Sequence, residues 1–96
     1  MRYLKKRLTV VNDGFSKSNV QARDRMDVVI NRYVAKMSAR GWIPRLYVSA
    51  GNAFSRWEAY VRMVKPTTDQ ERIDAIENAI CHDWVLDVDG NTWKLM

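Results

Sequence analysis

Cys81 and His82 set a thiol and an imidazole side by side, the two groups that a nucleophile and its base would need. Adjacent residues on a helix point about 100° apart, so the two cannot easily meet as a catalytic couple. Cys81 then reads as small and partly buried, and His82 as a residue favourable to the dipole at a helix C-terminus. The run DVDGN sets oxygen-bearing side chains at Asp87, Asp89 and Asn91, alternate positions as in a calcium loop. Its glycine comes too early for an EF-hand and no glutamate closes it, so it reads as a hairpin turn. Cys81 is the one cysteine, which excludes an internal disulfide and the pairings of structural zinc. No metal or cofactor is implied. The residues with most to offer are cations and tyrosines: in RWEAYVRMV, Trp57, Ala59, Val61 and Met63 alternate with Arg56, Glu58, Tyr60 and Arg62. One side of such a strand suits a core, and the other gathers arginine and tyrosine.

Positioning that face takes a sheet. Residues 2–12 alternate Leu4, Lys6, Leu8 and Val10 with Tyr3, Lys5, Arg7 and Thr9, a strand period. Residues 12–18 have loop composition, Ser18 and Gln21 have capping-box spacing, and Met26, Ile30, Tyr33, Val34 and Met37 recur at helical spacing up to a stop at Gly41. A first helix over 19–40 follows. Pro44 opens a strand through RLYVSA, and Gly51-Asn52 fits a two-residue hairpin turn into RWEAYVRMV. That turn pairs Ala50 with Ala53, Leu46 with Trp57, Tyr47 with Arg56 and Arg45 with Glu58, with an ion pair and a cation–π contact on the outer face. Leu46, Val48 and Ala50 then join Trp57, Ala59, Val61 and Met63 over the core. Pro66, a Thr68/Glu71 capping box and Ile73, Ile76 and Ile80 predict a second helix whose isoleucines are buried. WVLDVDGNTWKLM closes the chain with a strand, a turn at Asp89-Gly90-Asn91, and room for a short final strand from Thr92 to Met96. Trp42, Trp57, Trp84 and Trp93 read as core and core rim, Trp57 foremost.

At 96 residues, 47% hydrophobic and 28% charged, the chain has the make-up of one folded domain spanning 1–96. The single cysteine suits a reducing, cytoplasmic setting. MRYLKKRLTVV is too poor in consecutive apolar residues for a signal peptide or a membrane span, which predicts a soluble, uncleaved chain with no membrane partner. The net charge of +5 is unevenly placed. Arg2, Lys5, Lys6, Arg7 and Lys17 oppose Asp13 alone at the start, whereas residues 67–83 set Asp69, Glu71, Asp74, Glu77 and Asp83 against Arg72. Such polarity bears on partners and not on fold.

The βαββαβ order resembles the ferredoxin-like fold, in element order across the whole chain and in no specific motif. The resemblance implies an α+β two-layer sandwich: an antiparallel sheet in the order four, one, three, two, with both helices on one face. The open face then gathers Tyr3, Lys5, Arg7, Arg45, Tyr47, Arg56, Tyr60 and Arg62. It is similar to the sheet face of RRM-like RNA-binding domains, where aromatics stack bases and cations follow phosphates, although their glycine-aromatic signature is not matched here. Arg25, Arg32, Lys36 and Arg40 form a second basic surface on the outer side of the first helix, able to track phosphates or an acidic groove. The acids of the second helix should face away from any nucleic acid. Asp13 stands where some ferredoxin-like nucleases keep a metal-binding carboxylate, but beside a glycine it reads as a turn residue.

With no catalytic constellation the expected role is non-enzymatic binding, a small metal-dependent nuclease being the remotest alternative. In size, polarised surface and lack of a reaction signature the chain resembles, in general character, the phage and mobile-element accessory proteins that sterically inhibit a host complex, such as anti-CRISPR or anti-restriction proteins. The partner would be a protein with an acidic or nucleic-acid-binding surface. The alternative is direct binding of single-stranded nucleic acid by the sheet face. A monomer or a homodimer is expected, and like charges disfavour a homodimer through the open faces.

Overall fold

The computed structural model describes residues 1–11, 19–51 and 56–95, with side chains for all of these except 11, 19–23, 49–51, 56 and 57. Asp13, the Ser18/Gln21 pair, Ala53 and the side chains of Arg56 and Trp57 lie outside the described residues. Among those described, the elements are β1 (Arg2–Val11), α1 (Asn19–Ser38), β2 (Ile43–Gly51), β3 (Arg56–Lys65), α2 (Asp69–Cys81), β4 (Trp84–Leu86) and β5 (Trp93–Leu95). The chain is α+β, and the short final strand is present.

Strand pairing departs from the ferredoxin-like expectation. An antiparallel sheet runs β1-β3-β2, with β3 central, and β4 pairs with β5 in a separate ribbon. β4 does not join β1, which is therefore an edge strand. The reason is local. Closing a short loop from β4 to β5 costs less entropy than bringing β4 back to the chain's first strand, and the turn between them is tightly bonded. Asp87 N–H donates to Thr92 O at 2.7 Å. The Asp89 carboxylate accepts from the Asn91 and Thr92 amides at 2.8 and 3.0 Å and from the Thr92 hydroxyl at 2.7 Å. These bonds hold Asp89 below the usual carboxylate range. DVDGN is a hairpin turn, as its composition predicts, with Gly90 at φ +76°.

α1 covers one face of the sheet. Met26, Ile30, Val34 and Met37 are buried against a core that includes Val10, Ala59, Val61 and Met63, the stripe read from its periodicity. Gly41, at φ +90°, ends the turn after the helix: its N–H donates to Ser38 O and that of Trp42 to Met37 O. On one flank α1 carries β5, and two of the ribbon's amides are satisfied from the helix. Leu95 N–H donates to Asn31 Oδ1 at 2.9 Å, and Trp93 N–H to Ser38 Oγ at 3.4 Å. Trp84 and Trp93 are buried and Trp42 half-buried.

α2 starts as its sequence predicts. Thr68 Oγ1 accepts from Glu71 N–H at 3.2 Å, while the Glu71 carboxylate reaches back one residue further, to the amide and hydroxyl of Thr67 at 2.9 Å. Its buried side does not follow the expectation. Ile73 and Ile80 are 50% and 59% exposed, Ile76 is half-buried, and the residues turned inward are Ala75 and Ala79. α2 packs on β2 and β4, close to their backbones, and small side chains permit that approach where isoleucines would hold the helix off. Nor does α2 share α1's face of the sheet. Val64 lies in ladder register with Tyr3, yet is only 2% exposed; it shares a cleft with Asp74, Ala75 and Asn78 of α2. α2 thus borders the face opposite α1.

Candidate functional site

The open face is set by the register of two ladders. β1 pairs with β3 so that Lys5 is opposite Arg62, Arg7 opposite Tyr60 and Thr9 opposite Glu58. β2 pairs with β3 so that Leu46 meets Arg62, Tyr47 meets Val61 and Val48 meets Tyr60. The two-residue turn at Gly51-Asn52 is not formed, because Gly51 is itself paired with Trp57. Relative to that turn the register moves by an odd number of residues, and such a move turns every side chain of the strand over. Tyr47 accordingly belongs to the α1 side, packed against the core, while Leu46 and Val48 belong to the open face, Val48 being 49% exposed. Tyr47 is removed from the predicted site, and its contact with Arg56 is not possible in this register. The Arg45–Glu58 ion pair is likewise absent, since Glu58 stands opposite Ala50 and Thr9.

Arg45 stays on the open face because the ladder shifts between Pro44 and Leu46. A bulge of this kind places one extra residue in β2 and re-aims its side chain. The Arg45 guanidinium lies over the Tyr3 ring at 5.9 Å from the centroid, and the Lys5 ammonium over the Tyr60 ring at 4.8 Å. Both are cation–π arrangements. Tyr3 is 68% exposed, Tyr60 half-buried, and Lys5, Arg7, Arg45 and Arg62 are exposed. The structure therefore brings together six of the eight predicted face residues. Lys5 and Arg62, two cations directly opposed, repel one another and gain from an anion between them.

Two connected depressions run along this face. The larger, about 670 Å³, is bounded by Tyr3, Lys5, Arg45, Leu46 and Arg62 and walled by Asn78 and His82 of α2. The second, about 160 Å³, shares Lys5, Leu46 and Arg62 and continues to Val48 and Tyr60. Asn78 and His82 are contributions that sequence reasoning missed. The signal was present as Ala75, Asn78, Ala79 and His82, small and polar residues at i, i+3, i+4 and i+7, which mark the true inner side of α2. His82 is the helix C-cap, its Nδ1 bonded to Asn78 O at 2.8 Å. Cys81, expected to be partly buried, is exposed because the seam of α2 runs through Ala79 instead. α2 does not face away from the basic surface, as its acids suggest it should; Asp74 stands beside Tyr3 and Arg45.

The second basic surface is separate. Arg32, Lys36 and Arg40 are exposed and Arg25 half-buried, on the side of α1 turned from the sheet. None of these residues shares a cleft with the open-face cations among those described. No described helix is long and apolar enough to cross a membrane. No family model, curated protein or solved structure matches the chain.

Proposed function

We propose that the protein is a non-enzymatic binder of single-stranded nucleic acid, held on the open face of the sheet. The observation that carries this is the interleaving of cations with tyrosine rings, Lys5 over Tyr60 and Arg45 over Tyr3, across a connected groove. Ring faces accept unstacked bases whatever their sequence, and the cations beside them neutralise phosphates. A reducing, cytoplasmic setting suits the exposed thiol of Cys81. The test is fluorescence anisotropy of labelled oligonucleotides over a series of salt concentrations. Binding is expected to weaken linearly in log–log form, by about 0.7 per neutralised phosphate for a single strand, and Tyr60→Ala should cost about 1–3 kcal/mol of affinity. Failure of every oligonucleotide to bind at low salt overturns the proposal.

A second function draws on Leu46 and Val48, which the register brings to the same face beside Arg62. Apolar side chains next to arginine are the make-up of a protein-interface centre. Steric inhibition of a host nucleic-acid-processing or defence complex, in the manner of an anti-CRISPR or anti-restriction protein, would use them. Pull-down from a bacterial lysate separates the two. A stoichiometric protein partner that survives nuclease and moderate salt favours the inhibitor; nucleic acid alone, lost at higher salt, favours direct binding.

A further inference from the structure

Resting on the nucleic-acid proposal, we infer that the groove is blind at α2 and receives the phosphorylated end of a single strand. α2 closes the face where β1 begins and β3 ends. Val64 is only 2% exposed there, although it belongs to the open-face register, and Asp74, Ala75 and Asn78 share a cleft with Met1, Tyr3 and Arg45. Glu71, one turn earlier, holds the Met1 ammonium at 3.6 Å. A polyanion running along the groove from Val48 and Tyr60 therefore meets the helix itself, with the Asp74 carboxylate beside its end adding like charge against passage.

The last chamber before this wall has the composition of a phosphate site. Lys5, Arg45 and Arg62 line it, with Tyr3 as an exposed ring and His82 on the wall. Its volume of about 670 Å³ falls within the range of small-ligand pockets, so a terminal nucleotide has room. A terminal phosphomonoester carries a charge near −2, where each internal phosphodiester carries one, and has three strong acceptor oxygens. Three cations in one chamber match that extra charge better than they match an internal link. Asn78 completes the wall through the rest of its side chain, its Oδ1 being buried away from the groove.

The experiment compares four labelled single strands of one sequence by anisotropy at fixed salt: 5′-phosphorylated, 3′-phosphorylated, linear without phosphate, and covalently circular. One phosphorylated form is expected to bind about tenfold more tightly than both the unphosphorylated and the circular strand, and which form it is fixes the strand's polarity in the groove. Arg45→Ala, checked for folding by circular dichroism, should bring that ratio close to one. Equal binding of all four strands overturns the inference while leaving nucleic-acid binding on the face intact. A ratio that persists in Arg45→Ala overturns the assignment to this chamber. Absence of binding by all four overturns the nucleic-acid proposal itself.

Discussion

The two faces of the β1-β3-β2 sheet are built from the same three strands and have opposite characters. On one, Ala59, Val61 and Met63 are sealed beneath Ile30 and Val34 of α1, all of them within 1% of full burial. On the other, Lys5 and Arg62 stand directly opposed, Tyr3 is mostly exposed, and α2 covers only the end at Val64. The closed face is organised by burial, each apolar side chain contributing to stability. The open face includes a like-charge pair that folding by itself does not favour. If the open face binds as proposed, stability and binding are separable residue by residue along one strand.

The largest effect that could break the comparison is in the core. Ile30→Ala is expected to cost about 2–5 kcal/mol, from lost burial and the cavity left behind, read by urea unfolding; a loss near zero would mean that α1 does not seal the closed face. Next comes Tyr47, which alternation under a tight turn assigns to the open face and the ladder to the closed one. Tyr47→Ala should lower stability by about 1–3 kcal/mol and leave oligonucleotide affinity as it was, whereas the reverse result would restore the tight-turn register. Arg62→Ala should do the opposite. It should reduce the salt slope of binding by about one and change stability by no more than a few tenths of a kcal/mol, upward, as repulsion from Lys5 is relieved.

Acid sharpens the comparison at the periphery. Glu71 is held below the usual carboxylate range by hydrogen bonds from the Thr67 amide and hydroxyl and by the Met1 ammonium, and Asp89 by its turn. A carboxylate whose folded pKa is depressed contributes stability that is present above its ordinary value, 4.5 for Glu71 and 3.8 for Asp89, and lost as pH falls through the folded value. Thermal melts from neutral to acid pH should show Glu71→Gln and Asp89→Asn losing less stability on acidification than the unaltered chain; parallel curves would remove these bonds from the account. Smallest of all, Ile80→Ala should fall within about 0.5 kcal/mol of the unaltered chain. A core-sized loss there would return α2 to its isoleucine stripe.

Much of the fold is legible in the chain because its signals are local. The capping pair at Thr68 and Glu71, the stop at Gly41, the Met26-Ile30-Val34-Met37 stripe and the DVDGN turn each depend on residues a few positions apart. The alternation of β1 and β3 is legible for the same reason, and it correctly separates Lys5, Tyr60 and Arg62 from Val61 and Met63. What fails is whatever depends on a partner elsewhere. Isoleucine is the more hydrophobic choice for α2's inner side, but a close approach to β2 and β4 selects Ala75 and Ala79. Gly51-Asn52 has the chemistry of a tight turn, but the ladder pairs Gly51 with Trp57, a register that such a turn does not allow.

By itself, then, the sequence determined the type and order of the first six elements, the closed face of β3, and the cationic character of the surface beyond it. Those follow from side-chain periodicity and from charge, which any stretch of chain carries with it. Tertiary structure alone decided that β4 pairs with β5 and not β1, that Tyr47 exchanges faces with Leu46 and Val48, and that Asn78 and His82 wall the groove. Register and helix placement are set by competition among distant surfaces for burial and hydrogen bonds. A shift of one residue reverses a strand, and in β2, where Leu46 and Val48 alternate with an equally buriable Tyr47, the strand's own pattern does little to resist it.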